Sequence, residues 1–333
     1  METILLEKGV NKDAVHHVVS SILQTSLRGV DSHGINLFPH YCRAVDSGRV
    51  NKQNVMVINQ TAPSTAIVDA VDSFGHHSGA VAMDYAIKLA GETGMAAVNV
   101  TNSTHFGAAA YFALRAANHN MLGFSFTNAD ALVKAFNSQK AFFGTNPICF
   151  TAPLLNEEPL CLDMATSLVS WNKINNYRRT NETIPAQWAY DEFGQPTTNP
   201  HVAKSLSPAG EYKGFGLGMM VDILCAVITG GLISKDILPM YNSPIEAKRK
   251  ISHFFMAIDI QKFSAPDMFK ANLQGMVDRI RLLPKLSEGE VMVPGDPEKK
   301  YYADRIISGI PMDDVKFEEF MEISQSFKKA VIN

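Results

Sequence analysis

Helical periodicity crowds the two ends of this chain, while apolar runs of strand length fill its middle. That distribution predicts an α/β protein whose terminal helices come together around an α/β core. The first helix is expected from Asn11, a good N-cap with Asp13 close behind, to Arg28. Val15, Val18, Val19, Ile22 and Leu23 give it one buried stripe, and Gly29 ends it. The Ser32-His33-Gly34 turn should open a second helix that closes near Gly48. Strands are expected at 55–58 and 66–68, a helix at 80–90, and a strand at 95–100 that delivers the 102–107 loop. The strand–loop–helix order then repeats, with a helix at 108–118, strands at 122–127, 147–152 and 160–163, and a helix at 167–177. Residues 181–208, with Pro185, Pro196, Pro200 and Pro208, read as a long irregular excursion of the kind that often carries function. A helix at 216–228, a buried strand at 252–260 and helices at 267–283 and 315–331 complete the pattern. Residues 1–60 with 262–333 are then a mainly helical terminal domain, and 61–261 an α/β core.

Charge and cysteine usage exclude several functions. A net charge of −3 leaves no basic footprint for nucleic acid or an anionic membrane surface. Cys42, Cys149, Cys161 and Cys225 are scattered, which argues against a zinc site and fits a reducing compartment. No metal site is expected: His76-His77 has no neighbouring carboxylate or cysteine to complete one. The amino terminus lacks the basic-then-apolar pattern of a signal peptide, so the expected location is the cytoplasm. The apolar stretch 217–233 is interrupted by Asp222, Gly218, Gly230 and Gly231, and reads as a core helix rather than a membrane span.

The ordinary nucleotide-binding turns are missing: no strand is followed by G-x-G-x-x-G, and there is no G-x-x-x-x-G-K-[ST]. Gly214, Gly216 and Gly218 have the wrong spacing, and from composition alone read as helix-packing residues. Two other segments stand out, Arg28-Gly29-Val30-Asp31-Ser32-His33-Gly34 and Asn102-Ser103-Thr104-His105-Phe106-Gly107. Each sets a histidine beside a hydroxyl residue and a glycine just outside a predicted helix, where it can reach a ligand and titrate near neutrality. One such histidine is most often a satisfied loop residue. Two in matching settings suggest an active site.

RGVDSHG, THFGAAAY, GTNP, LDMATS and KGFGLG, in that order, resemble the type-2 malate/L-lactate dehydrogenase family from about residue 10 onward. The resemblance implies a mixed-sheet, non-Rossmann NAD(P)-binding fold and hydride transfer between NAD or NADP and a 2-keto/2-hydroxy group of a small polar metabolite. It also implies a homodimer. Negative charge builds on the carbonyl oxygen during such a reduction, and an imidazolium can donate the proton, while the neutral ring accepts it in reverse. The family resemblance leaves open whether His33 or His105 is the acid/base. A helix dipole close to His105 would lower its pKa, which favours His33 as the acid, with His105 binding the carbonyl oxygen or the nicotinamide. Ser32 and Asn102 are placed to orient the rings, and Tyr41, about two helical turns beyond His33, is expected on a helix face that reaches substrate. By resemblance the cofactor contacts are Asp163, Met164, Ala165, Thr166, Lys213 against the phosphates, and Gly295 and Asp296 in the late Pro-Gly turn. Asn146 of the GTNP segment reads equally as a turn residue or a site residue.

The resemblance breaks at one place. Leu37 stands where the family carries an arginine that pairs with the substrate carboxylate, and His40 replaces a second basic residue. Leucine cannot form the bidentate guanidinium–carboxylate contact, so the usual small acid is in question, and Arg43 or Arg49 is the candidate substitute. The rival reading is a catalytically retired family member that binds a nucleotide or metabolite.

Overall fold

The computed structural model describes every residue except 54, 313 and 333, and from 325 onward the backbone alone. In chain order the helices and strands begin with α1 (Glu2–Glu7), α2 (Lys12–Leu27) and α3 (Phe38–Asp46). The central run is β1 (Val57–Ala62), β2 (Thr65–Asp69), α4 (Gly75–Thr93), β3 (Met95–Ser103), α5 (Ala110–Asn118) and β4 (Met121–Thr127). Next come β5 (Val133–Lys134), β6 (Ala141–Phe143), β7 (Ile148–Ala152), β8 (Leu160–Met164) and α6 (Trp171–Thr180). Then follow β9 (Ala189–Tyr190), β10 (Ser205–Leu206), α7 (Tyr212–Cys225), β11 (Ile251–Asp259), α8 (Pro266–Arg281), α9 (Asp296–Ser308) and α10 (Asp314–Ile332).

Seven strands form one mixed sheet in the order β1-β2-β3-β11-β4-β7-β8, parallel at β2–β3 and antiparallel elsewhere. Alternation along the central strand explains why both faces are covered. Phe255 and Ala257 of β11 join Met83, Val98 and Phe112 beneath α4 and α5. Phe254 of the same strand joins Phe126, Val221 and Cys225 beneath α7 on the other side. Gly123 lets α5 approach β4, since a Cβ there would lie 2.3 Å from the Ala113 carbonyl oxygen.

A second core gathers Leu5, Val18, Ile22, Phe38, Val45 and Phe74, with Phe320 of α10 packed against it. Thus the two chain ends do meet. Helix α8 goes elsewhere: Val277 packs on Leu154 and Val293 at the β7–β8 end of the sheet. There Arg281 holds Glu157 and Asp296 at 2.6 Å each.

Three local expectations change. The irregular 181–208 excursion contains β9 and β10, which with β5 and β6 make a small second sheet ordered β6-β5-β10-β9. The Pro-Gly turn at 294–295 opens helix α9, with Gly295 at φ +96° as its N-cap. The helix expected at 167–177 starts four residues later. Helix α6 begins at Trp171, where the Ser170 hydroxyl accepts from the Lys173 amide at 3.2 Å.

Candidate active site

His33 arrives on a one-turn 3-10 helix, Asp31–His33, and Ile35–Leu37 forms a second such turn before α3. The loop is pinned from two sides. The Ser26 hydroxyl accepts from the Ile35 amide at 2.8 Å. Arg305 of α9 donates to the Ser26 carbonyl at 2.6 Å and to Asp31 at 2.5 and 2.9 Å.

His105 arrives at the end of β3. The Thr104 hydroxyl donates to the Ser73 carbonyl at 3.1 Å and accepts from the Gly75 amide at 3.0 Å, tying the loop to the start of α4. A Cβ on Gly75 would lie 2.3 Å from the Thr104 carbonyl oxygen and 2.8 Å from the His105 carbonyl carbon. Gly75→Ala is therefore expected to push the His105 loop outward, cost about 1–3 kcal/mol of stability and reduce turnover. Thermal unfolding and steady-state assays check this together: an unshifted Tm would show that the loop yields without strain.

The two imidazoles meet face to face, with ring centroids 5.7 Å apart and planes 22° from parallel. Ser32 Oγ lies 2.8 Å from His33 Nδ1, and the buried Tyr41 hydroxyl lies 2.8 Å from His105 Nδ1. Both Nε2 atoms are left without a hydrogen-bond partner among the described residues, and both rings line one cavity of about 590 Å³, within the size range of small-molecule sites. Burial lowers the His33 pKa below 6.5. His105 is lowered well below 6.5 by burial, then by the positive charge of His33, His76, Arg249 and His40. Burial and neighbouring positive charge thus lower His105 further than burial alone lowers His33. Burial also pushes the Tyr41 phenol well above 10, so it remains an O–H.

The floor of the cavity is Gly107, Ala108, Ala109 and Ala110, whose side chains are no larger than a methyl, at the start of α5. Asp163 lies deep in the fold yet open to the cavity, and burial raises its carboxyl to about 6 even though it accepts from the Ala110 amide at 2.8 Å. Arg28 also lines the cavity. Its Nη1 donates to Glu158 at 2.8 Å, and its buried Nη2 has no partner among the described residues.

Of the cofactor candidates, Asp163 and Ala165 line the cavity. Thr166 is buried, with its amide and hydroxyl both given to the Thr145 carbonyl at 2.8 and 3.0 Å. Met164 ends β8, opposite Ile148. Lys213 is exposed on the first turn of α7, off the cavity wall, and Gly214 packs α7 against the Ala209 backbone. Asp296 accepts from Arg281 and from the Val293 amide, and Gly295 sits against the Cys161 backbone, so this segment reaches the cavity through Glu298. Asn102 donates to Asp69 at 3.1 Å rather than to either ring. Asn146 is a buried junction that accepts from the Ala129 amide and donates to the Gly218 carbonyl.

Arg43 pairs with Glu319 at the surface, and Arg49 is engaged by the 240–244 loop; neither lines the cavity. Arg249 does. Sequence reasoning missed it because Lys248-Arg249-Lys250 looks like an ordinary solvated run, whereas Arg249 is only 3% exposed. Its one signal is position: it lies two residues before the apolar strand β11.

A mixed sheet with helices on both faces and paired imidazoles over one cavity define the class, an α/β oxidoreductase built outside the Rossmann plan. The chain matches the Malate/L-lactate dehydrogenase family model over residues 1–321 and belongs to that family. It is 34% identical to a malate dehydrogenase of Pyrococcus abyssi, covering 97% of this chain and 91% of that one. It is 30% identical to a ureidoglycolate dehydrogenase (NAD(+)) of Escherichia coli O157:H7, covering 94% and 90%. The malate dehydrogenase structure from Entamoeba histolytica superimposes with a TM-score of 0.93 at 28% identity, covering 98% of this chain and 95% of that one. The expected fold class and the family resemblance are both confirmed.

Proposed function

We propose that this chain is an NAD(P)-dependent dehydrogenase that interconverts the 2-hydroxy and 2-oxo groups of a small polar metabolite, with His33 and His105 handling the proton. The face-to-face imidazoles, each with Nδ1 held by a hydroxyl and Nε2 toward the cavity, carry the reading. The cavity fits a dinucleotide: its floor has no bulky side chains, Asp163 offers acceptors to a ribose hydroxyl, and Arg28 Nη2 is an unpartnered buried donor for an anion. Ala165, Met164, Thr166, Lys213, Gly295 and Asp296 are the further candidates by family position.

A nicotinamide held in this cavity would supply the hydride for reduction of the substrate carbon, or accept it in oxidation. His33, less lowered than His105, carries the proton that the new alkoxide takes up during reduction. His105, held by Tyr41, stays neutral and binds the carbonyl oxygen. In the oxidative direction the neutral His33 ring accepts the hydroxyl proton, and one proton is released overall.

Fluorescence titration with NADH and NADPH, followed by a panel of 2-oxo acids at saturating cofactor, tests the proposal. Failure to bind either dinucleotide overturns it; binding without turnover across the panel supports the retired-enzyme reading instead. Lys213→Ala is expected to weaken dinucleotide binding about tenfold, the worth of one charge-assisted contact, with an unchanged circular dichroism spectrum. Unaltered affinity removes Lys213 from the site.

We also infer a homodimer, supported by the apolar face that α7 leaves exposed at Leu217, Met220 and Ile223. The helical stretch 212–229 is long and apolar enough to cross a membrane, but Asp222 anchors it to Asn128 and Ser234, so a second copy is the favoured cover. Four buried, unpaired cysteines support a cytoplasmic location. The division into 1–60 plus 262–333 around 61–261 is supported by the separate terminal core, although α8 packs on the sheet end.

A further inference from the structure

The charges that face the two histidines narrow the substrate further, on the assumption that the dehydrogenase reading above is correct. Arg249 lines the cavity and its positive charge acts on both His105 and His40. Its Nε donates to the Leu238 carbonyl at 2.8 Å and its Nη2 pairs with Asp130, leaving Nη1 without a partner among the described residues. Asp130 lines the same wall. One free guanidinium nitrogen therefore faces the histidines together with one carboxylate.

The other guanidiniums on the wall lie elsewhere. Arg28 belongs to the end where Glu158 and Asp163 stand. Arg178 donates to the Pro200 and Ala203 carbonyls and lies over the Trp171 ring.

Leu37, Pro239 and Met240 give this end an apolar lining, beside Tyr241 and Asn242. Leu37 is 7% exposed, and Met240 packs against the same terminal core. Tyr241 lies edge-on to His40 at 5.4 Å. The wall is held in place, because Arg49 donates to the Met240 carbonyl at 3.2 Å, Ser243 at 3.2 Å and the Pro244 carbonyl at 2.8 Å.

We propose that the site takes 2-oxo and 2-hydroxy monocarboxylates bearing an apolar chain, with the carboxylate on Arg249 and the chain against Leu37, Met240 and Tyr241. One carboxylate finds a charged donor there. A second anionic group on that wall would face the Asp130 carboxylate, a like-charge contact that disfavours it in a partly desolvated site. An apolar chain instead covers Leu37 and Met240 and removes their surface from water.

The test is steady-state oxidation of NADH or NADPH with 2-oxoisocaproate and phenylpyruvate against oxaloacetate and sulfopyruvate. The monocarboxylates should have the higher kcat/KM by about tenfold or more. Leu37→Arg should move the preference toward oxaloacetate by a similar factor. Arg249→Lys, which keeps the charge but loses the planar fork, should raise KM for the monocarboxylates more than it lowers kcat. Higher kcat/KM for oxaloacetate or sulfopyruvate in the unmodified protein overturns this inference while leaving the dehydrogenase reading intact. Bound cofactor with no turnover of any acid overturns both. If Leu37→Arg fails to fold, the unmodified protein's panel still decides.

Discussion

His33→Gln is expected to lower kcat by about 10²-fold or more, with dinucleotide affinity nearly unchanged. Glutamine retains a hydrogen-bonding group near the substrate oxygen but cannot deliver a proton. His105→Gln should raise KM as well as lower kcat, because on the proposed mechanism that ring binds the carbonyl oxygen. The pH profile separates the roles. Two imidazoles 5.7 Å apart resist being charged together, so they titrate as a coupled pair. Burial lowers both, so the protonated form needed for reduction declines as pH rises through a value below 6.5. Reductive kcat should fall across that window, and oxidative kcat should rise across it. The measurement is kcat against pH in both variants at saturating substrate. If the titration persists in His33→Gln and disappears in His105→Gln, the two roles are exchanged.

The second large effect is on stability in acid. Burial lowers His76 and His253 to about 3, and burial with Arg49, Arg43 and Arg249 lowers His40 to about 4. All three side chains are buried, two of them with no exposure at all. An unfolded histidine titrates near 6.5, so between that value and the folded value the unfolded chain binds more protons. Stability is thus full above 6.5 and is lost as pH falls. Each group costs about 2 kcal/mol at pH 5 and the three together on the order of 6 kcal/mol, a large share of the roughly 5–15 kcal/mol typical of a folded domain. Urea unfolding at pH 7.5, 6 and 5 should show this loss; equal stability at the three values refutes it. His76 offers a sharper check, since neither ring nitrogen has a partner among the described residues. His76→Phe should cost little at pH 7.5 and flatten the dependence by about one proton.

Legibility tracked the range of the interactions involved. Asn11 accepts from the Asp13 amide at 2.9 Å and α2 follows it, because a cap and an apolar stripe are local properties. Strands β3 and β11 were readable as apolar runs of the right length. The small sheet was not, since strands of two or three residues are too short to show a period. Helix α9 was hidden behind a Pro-Gly pair that reads as a turn, although proline in the first helical turn is favourable.

The candidate site divides the same way. His33 and His105 could be singled out from residue type, neighbours and motif order, and so could the substitution at Leu37. That the two rings meet was not legible, because 72 residues separate them and the meeting depends on β3, α2 and the Arg305 anchor packing together. Tyr41 was expected to reach substrate, yet its hydroxyl went to His105. Arg249 was lost among lysines, for its burial exists only once the 238–242 loop and Asp130 close around it. By itself the sequence determined most of the longer helices, the longer strands, the family and the two proton-handling candidates, each a matter of local pattern or ordered motif. Tertiary structure alone decided which groups share a cavity and which cation faces the histidines, because burial and through-space charge depend on distances that chain spacing does not contain.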